Sequence, residues 1–142
     1  MTSRWVPRLI RRLVRERADN RCEYCQHSAD FSCASFGCEH VVPRAKGGGD
    51  SIEELAWACP ACNNHKYSKT QAVDPVSRRT VPLFNPRRQR WTWHFRRSDD
   101  CLMIDGRTRI GRATVAALHL NRIELVNLRR VLRASGDHPP TR

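Results

Sequence analysis

The chain has 142 residues, enough for one domain or a small core with extensions, and at 39% hydrophobic it can bury only a modest core. Its 26 basic residues, nearly all arginine, outweigh 14 acidic ones to give a net charge of +12, a field that attracts polyanions and disfavours cationic partners. No run of about 18 apolar residues is present and "MTSRWVPRLIRRLVRER" lacks the apolar centre of a secretory signal, so the expectation is a soluble, cytoplasmic chain with no membrane partner.

Taken in order, Val6, Leu9, Ile10, Leu13 and Val14 recur at helical spacing with arginines between them, and Pro7 suits a first turn. They predict an amphipathic helix ending near Asp19 and Asn20, its apolar stripe on the core and its arginine face toward solvent or nucleic acid. The knuckle "CEYC" (Cys22, Cys25) follows, then the aperiodic segment "QHSADFSCASFG". The stretch "CEHVV" reads as a short strand, in which Cys38 and His40 share one face and Glu39 the other. A site using both Glu39 and His40 therefore requires the strand to end or twist at His40.

Three glycines follow, read as a flexible turn because no Gly-Lys-Ser/Thr ending makes a phosphate loop of them. "DSIEEL" has the Ser51 and Glu54 spacing of a capping box, and "AWA" is placed to pair back on "CEHVV" and deliver a second knuckle, "CPAC" (Cys59, Cys62), to the first. A helix is expected from "NNHKYSK". Residues 71–90 read as an irregular arm rich in proline and arginine, while "WTWHF" and "CLMI" flank a hairpin turn, with Trp91, Trp93 and Phe95 as packing residues. Two helices, in "RATVAALHL" and "NRIELVNLRRVLRA", close the chain before a tail expected to fray, the second opened by an Asn121 and Glu124 capping box.

Seven cysteines in an intracellular chain favour metal or catalysis over disulfides. Cys22, Cys25, Cys59 and Cys62 have the paired spacing of a four-thiolate zinc site; such a site is full, hence structural. Cys33, Cys38 and Cys101 remain, expected as small buried hydrophobes. Chemistry would then need a second cation on oxygen or nitrogen ligands, for which Glu39 with Asn63 or His65 is available.

The ordered combination of two knuckles, "EHVVPRAKGGGDSIEEL" and "ACPACNNHK" resembles the HNH endonuclease family, the ββα-metal or His-Me finger nucleases, in a bacterial branch with four-cysteine zinc knuckles. The resemblance covers Arg21 to about Thr70 and continues less specifically into the C-terminal half. It implies an α+β fold: a helix over 1–20, a zinc-stapled ββα core over 21–70, and a hairpin-plus-helices extension over 71–142 packed on that core. It implies Glu39 and Asn63 as ligands of a catalytic Mg2+ or similar ion, His40 as the general base, and structural Zn2+ on the four cysteines. His65, Lys66 and Arg44 are the candidates for holding phosphate. Two departures stand out: Glu54 occupies the place of the family's middle asparagine, and Gly37 that of a histidine found in many relatives.

The resulting expectation is a metal-dependent endonuclease hydrolysing phosphodiester bonds in DNA, with RNA and oligomeric state left open. Its rivals are a non-catalytic zinc-ribbon module that binds nucleic acid and, more remotely, an iron-thiolate electron carrier.

Overall fold

The computed structural model describes residues 6–140; residues 1–5, at the start of the expected N-terminal unit, and 141–142, the end of the tail, lie outside the described residues. Helix α1 (Arg8–Arg17) begins after Pro7, whose φ of −57° suits the entry to a helix. Its apolar stripe divides. Val6 and Val14 are buried and Ile10 packs beside them, whereas Leu9 stays 57% and Leu13 37% exposed. The expected five-residue stripe is thus narrower than its spacing suggests, because arginines take over part of the docking. Arg11 donates to the Phe36 carbonyl at 2.9 Å, and Arg17 to those of Ile52 and Leu55 at 2.8 and 2.7 Å.

Strands β1 (Gly37–His40) and β2 (Leu55–Ala58) pair antiparallel, from Gly37 opposite Ala58 to His40 opposite Leu55. Every residue of β2 is buried, so "AWA" belongs to a strand closed on both faces. Helix α2 (Pro60–Lys66) follows directly. It begins earlier than the expected start at Asn63, because the Cys59 sulfur caps the Cys62 amide and Pro60 takes the first turn, where no amide is needed. Asn63 therefore lies inside the helix and is not its cap.

The arm over 71–90 is more ordered than expected. Strands β3 (Gln71–Val73) and β4 (Thr80–Pro82) form a hairpin whose turn is organised by Asp74: its carboxylate accepts the amides of Val76 and Ser77 and pairs with Arg112 through two bonds of 2.9 Å. "WTWH" forms the short helix α3 (Trp91–His94), and only Phe95 onward is strand: β5 (Phe95–Arg97) pairs with β6 (Ile104–Gly106). The helical turn brings Trp91 and Phe95, four residues apart, to a ring separation of 5.1 Å and lets the Trp91 indole donate to the Tyr24 carbonyl. Trp93 remains exposed, so the expected packing role falls to Trp91 and Phe95 only.

Helices α4 (Arg109–Leu118) and α5 (Ile123–Ala134) complete the fold. Asn121 does not cap α5; its amide instead bridges the N–H and C=O of Ile104 at 2.7 and 2.8 Å, tying the helix entry to β6. Phe84 packs edge-on to both Tyr24 and Phe95, so the C-terminal half closes over the first knuckle. Cys38 is buried as expected, but Cys33 is exposed and Cys101 partly so, both lying in loops away from the β1–β2 core. Among the described residues no helix is long and apolar enough to cross a membrane.

Candidate metal centre and active site

The knuckles close as their spacing predicts. The sulfurs of Cys22, Cys25, Cys59 and Cys62 all lie within 4.8 Å of one another, and all four residues are buried. The Cys25 to Cys59 sulfur distance of 3.8 Å is far too long for a disulfide and equals the edge of a tetrahedron with metal–sulfur bonds of about 2.3 Å. The donor set therefore fits zinc. Each knuckle turns on a sulfur that accepts the amide three residues on, Cys25 N to Cys22 at 3.5 Å and Cys62 N to Cys59 at 3.4 Å. Arg122, just before α5, reaches the Cys59 and Cys62 sulfurs at 3.4 and 3.7 Å. Burial opposes its charge, but the thiolates of Cys62, Cys25 and Cys59 outweigh that and raise its pKa.

Strand β1 ends at His40, and the chain leaves through Pro43 into a loop where Gly47 adopts a φ of +93°. The two side chains at the strand's end have different surroundings. Glu39 is 2% exposed; its Oε1 accepts the Tyr24 hydroxyl at 2.5 Å and its Oε2 the Lys66 ammonium at 2.7 Å. Burial pushes the Glu39 carboxyl up, and Lys66 and Tyr24 oppose the shift. Lys66 spends its other donors on the carbonyls of His40 and Val41 at 3.2 and 2.9 Å, so its three N–H groups are satisfied at 1% exposure. The expected phosphate contact instead points inward, stapling the end of α2 to the exit of β1.

His40 is 7% exposed, and its Nε2 lies 2.6 Å from Asp50 Oδ1. Because a carboxylate only accepts, Nε2 is the donor to Asp50, an arrangement that in the neutral ring leaves Nδ1 as the acceptor. Arg44 grips Asp50 with two bonds of 3.0 and 2.8 Å while remaining 42% exposed. His40 and Arg44 hold the Asp50 carboxyl below its ordinary range, with His40 the larger influence. Arg44 thus anchors the loop that carries Asp50 and still presents charge to solvent.

Glu54, in the place of the family's asparagine, accepts the Ser51 hydroxyl at 2.6 Å and the Gly49 amide at 2.7 Å. These bonds hold its carboxyl below the usual value. A Cβ on Gly49 would come within 2.6 Å of that carboxylate, so glycine there permits the clasp. Glu54 folds the 47–51 loop by accepting alone, and the partner of His40 is Asp50.

Asn63 Oδ1 is buried without a hydrogen-bond partner. An orphaned carbonyl oxygen is costly and suits a hard cation. Asn63 stands one turn before Lys66 on α2, and it is Lys66 that meets Glu39. The donor chemistry of Glu39 and Asn63 fits a divalent ion, with the condition that Glu39 already has a counter-charge in Lys66. His65 lies apart, its ring tilted against that of His119 at a centroid distance of 4.3 Å, with Arg122 nearby. Three contributors were missed in the sequence: Tyr24, Asp50 and Arg122. Only Asp50 had a signal, as the sole carboxylate between Glu39 and Glu53.

Residues 22–69 match the family model described as HNH endonuclease. The chain is also similar to the Septu protein PtuB of Bacillus thuringiensis, 26% identical over 135 residues that cover 90% of this chain and 47% of that protein. It therefore spans about half the length of this curated relative. No solved structure matches.

Proposed function

We propose, from the premise that residues 22–69 belong to the HNH endonuclease family, that this chain is a metal-dependent endonuclease hydrolysing DNA phosphodiesters. The observation that carries the reading is the unpartnered amide oxygen of Asn63 on α2, the helix whose Lys66 holds the buried Glu39, next along the chain to His40 with its Nε2 on Asp50. A divalent cation, when bound, supplies charge neutralisation at the phosphate and the leaving oxygen, with Glu39 and Asn63 as its holders.

The rest falls to the chain's own side chains. His40 Nδ1 accepts the proton of the attacking water, a role that contributes typically about 100-fold to 10,000-fold. Asp50 is a positioning residue: it accepts from Nε2, fixes the ring, and stabilises the imidazolium as the proton arrives. Arg44 holds Asp50 and offers its exposed guanidinium edge to phosphate. Tyr24 and Lys66 oppose the upward push of burial on the Glu39 carboxyl. Domain roles follow, with the 21–70 core carrying the chemistry and the 71–142 extension bracing Tyr24.

The test is plasmid cleavage by zinc-loaded protein with added magnesium, beside His40→Ala. Metal-dependent conversion of supercoiled plasmid, lost in the variant, is expected; equal cleavage by both defeats the assignment. The rival reading, a zinc module that binds without cutting, has one observation in its favour: both oxygens of Glu39 already hold donors. It predicts plasmid binding with no turnover.

A further inference from the structure

Helix α1 carries five arginines in ten residues, and they divide into two sets. Arg11 and Arg17 are struts, bonded to carbonyls of the core, and Arg11 also lies over the Trp57 ring at 5.2 Å. Arg8, Arg12 and Arg15 form no ion pair or hydrogen bond among the described residues, and their i, i+4, i+7 spacing sets them on one face. That face is one wall of an open groove of about 750 Å³, closed on the other side by Ala34 and Ser35 and floored by Phe36 and Trp57. Among the described residues no carboxylate lines it.

Three unpaired guanidinium groups in a row cost the fold self-repulsion and return no contact to it, which points to an occupant that supplies the negative charge. The groove lies at the Gly37–Ala58 end of the hairpin, while His40 stands at the other end, three residues and so about 10 Å away. A polymer of phosphates can lie along the arginines and still reach His40.

We infer that the groove beside α1 is a second nucleic-acid contact, in which Arg8, Arg12 and Arg15 each engage a backbone phosphate and hold the substrate in register with the His40 centre. The inference rests on the nuclease reading for its choice of polyanion, but its test needs binding only.

Affinity for a fluorescent DNA duplex is measured over a salt series without added divalent cation, for the full zinc-loaded chain and for R8Q/R12Q/R15Q. Three lost phosphate contacts reduce the slope of log affinity against log salt by about 3, so that between about 50 and 200 mM salt the unsubstituted chain loses about 40-fold more affinity than the variant. Each single substitution lowers the slope by about 1, which keeps the test open should the triple variant fold poorly. Unchanged slopes in the single variants overturn the inference. So does displacement of the duplex by polyglutamate at an equal concentration of charge, which would make the occupant an acidic polypeptide. Binding with the expected slopes but no plasmid cleavage would leave the groove standing and defeat only the enzymatic reading.

Discussion

The four-cysteine cluster and the Glu39–His40 centre share one hairpin and one helix, yet they are built in opposite ways. In the cluster each knuckle is shaped by its own local turn, and all four sulfurs face one another within 4.8 Å. The second centre is assembled from distant pieces: Tyr24 from the first knuckle, Asp50 from a solvent-facing loop, Lys66 from the end of α2. The first is complete in its donors and structural. The second retains an unpartnered oxygen on Asn63, and its His40 is held through Nε2 by Asp50.

The comparison predicts its own largest effect at the cysteines. Cys59→Ser, or treatment with a strong zinc chelator, should unfold the 21–70 core, since structural zinc contributes about 10–16 kcal/mol of binding free energy in small zinc modules. Far-UV circular dichroism with metal analysis checks this; a folded, zinc-free chain would break the account. Next comes the buried pair. Lys66→Met leaves Glu39 buried without its counter-charge and should cost about 3–5 kcal/mol in urea denaturation, with much of the loss recovered in K66M/E39Q. A loss no larger than that of an exposed pair would mean that Glu39 is not sealed from water.

Asp50→Ala should lower kcat about 10-fold, a share of the general-base contribution smaller than the full loss at His40, with KM little changed. A pure KM effect would make Asp50 a substrate contact. The smallest effect lies in the extension. The Asp74 carboxyl is held below its ordinary value chiefly by Arg112, so its contribution to stability is present at neutral pH and lost as pH falls below about 4 toward its folded value. Thermal unfolding of Asp74→Asn against the unsubstituted chain should show a gap at pH 7 that closes in acid.

The same contrast explains what could be read in advance. The knuckles and the hairpin pairing were legible because each is written in spacing or alternation over a few residues, whereas "CEHVV" reads as strand through Val42 and β1 stops at His40. Lys66 was not: nothing in "NNHK" tells whether a lysine turns out to phosphate or in toward a carboxylate 27 positions earlier. Asp74 and Asn121 were obscured in the same way, because their side chains answer to Arg112 and Ile104, far off in the chain. Trp91 and Phe95 could have been read as a helical i, i+4 pair, but alternation of aromatic and polar residues suggested a strand. Leu9 and Leu13 show the reverse limit, since periodicity marks a face without saying how much of it is covered.

The central claim is that one centre holds the fold and the other performs the chemistry. It is tested most directly by measuring zinc content, thermal stability and plasmid cleavage together on His40→Ala. The account predicts one zinc per chain and an unchanged transition, with cleavage reduced at least about 100-fold. A variant that cuts like the unsubstituted chain, or one that loses its zinc, would contradict it.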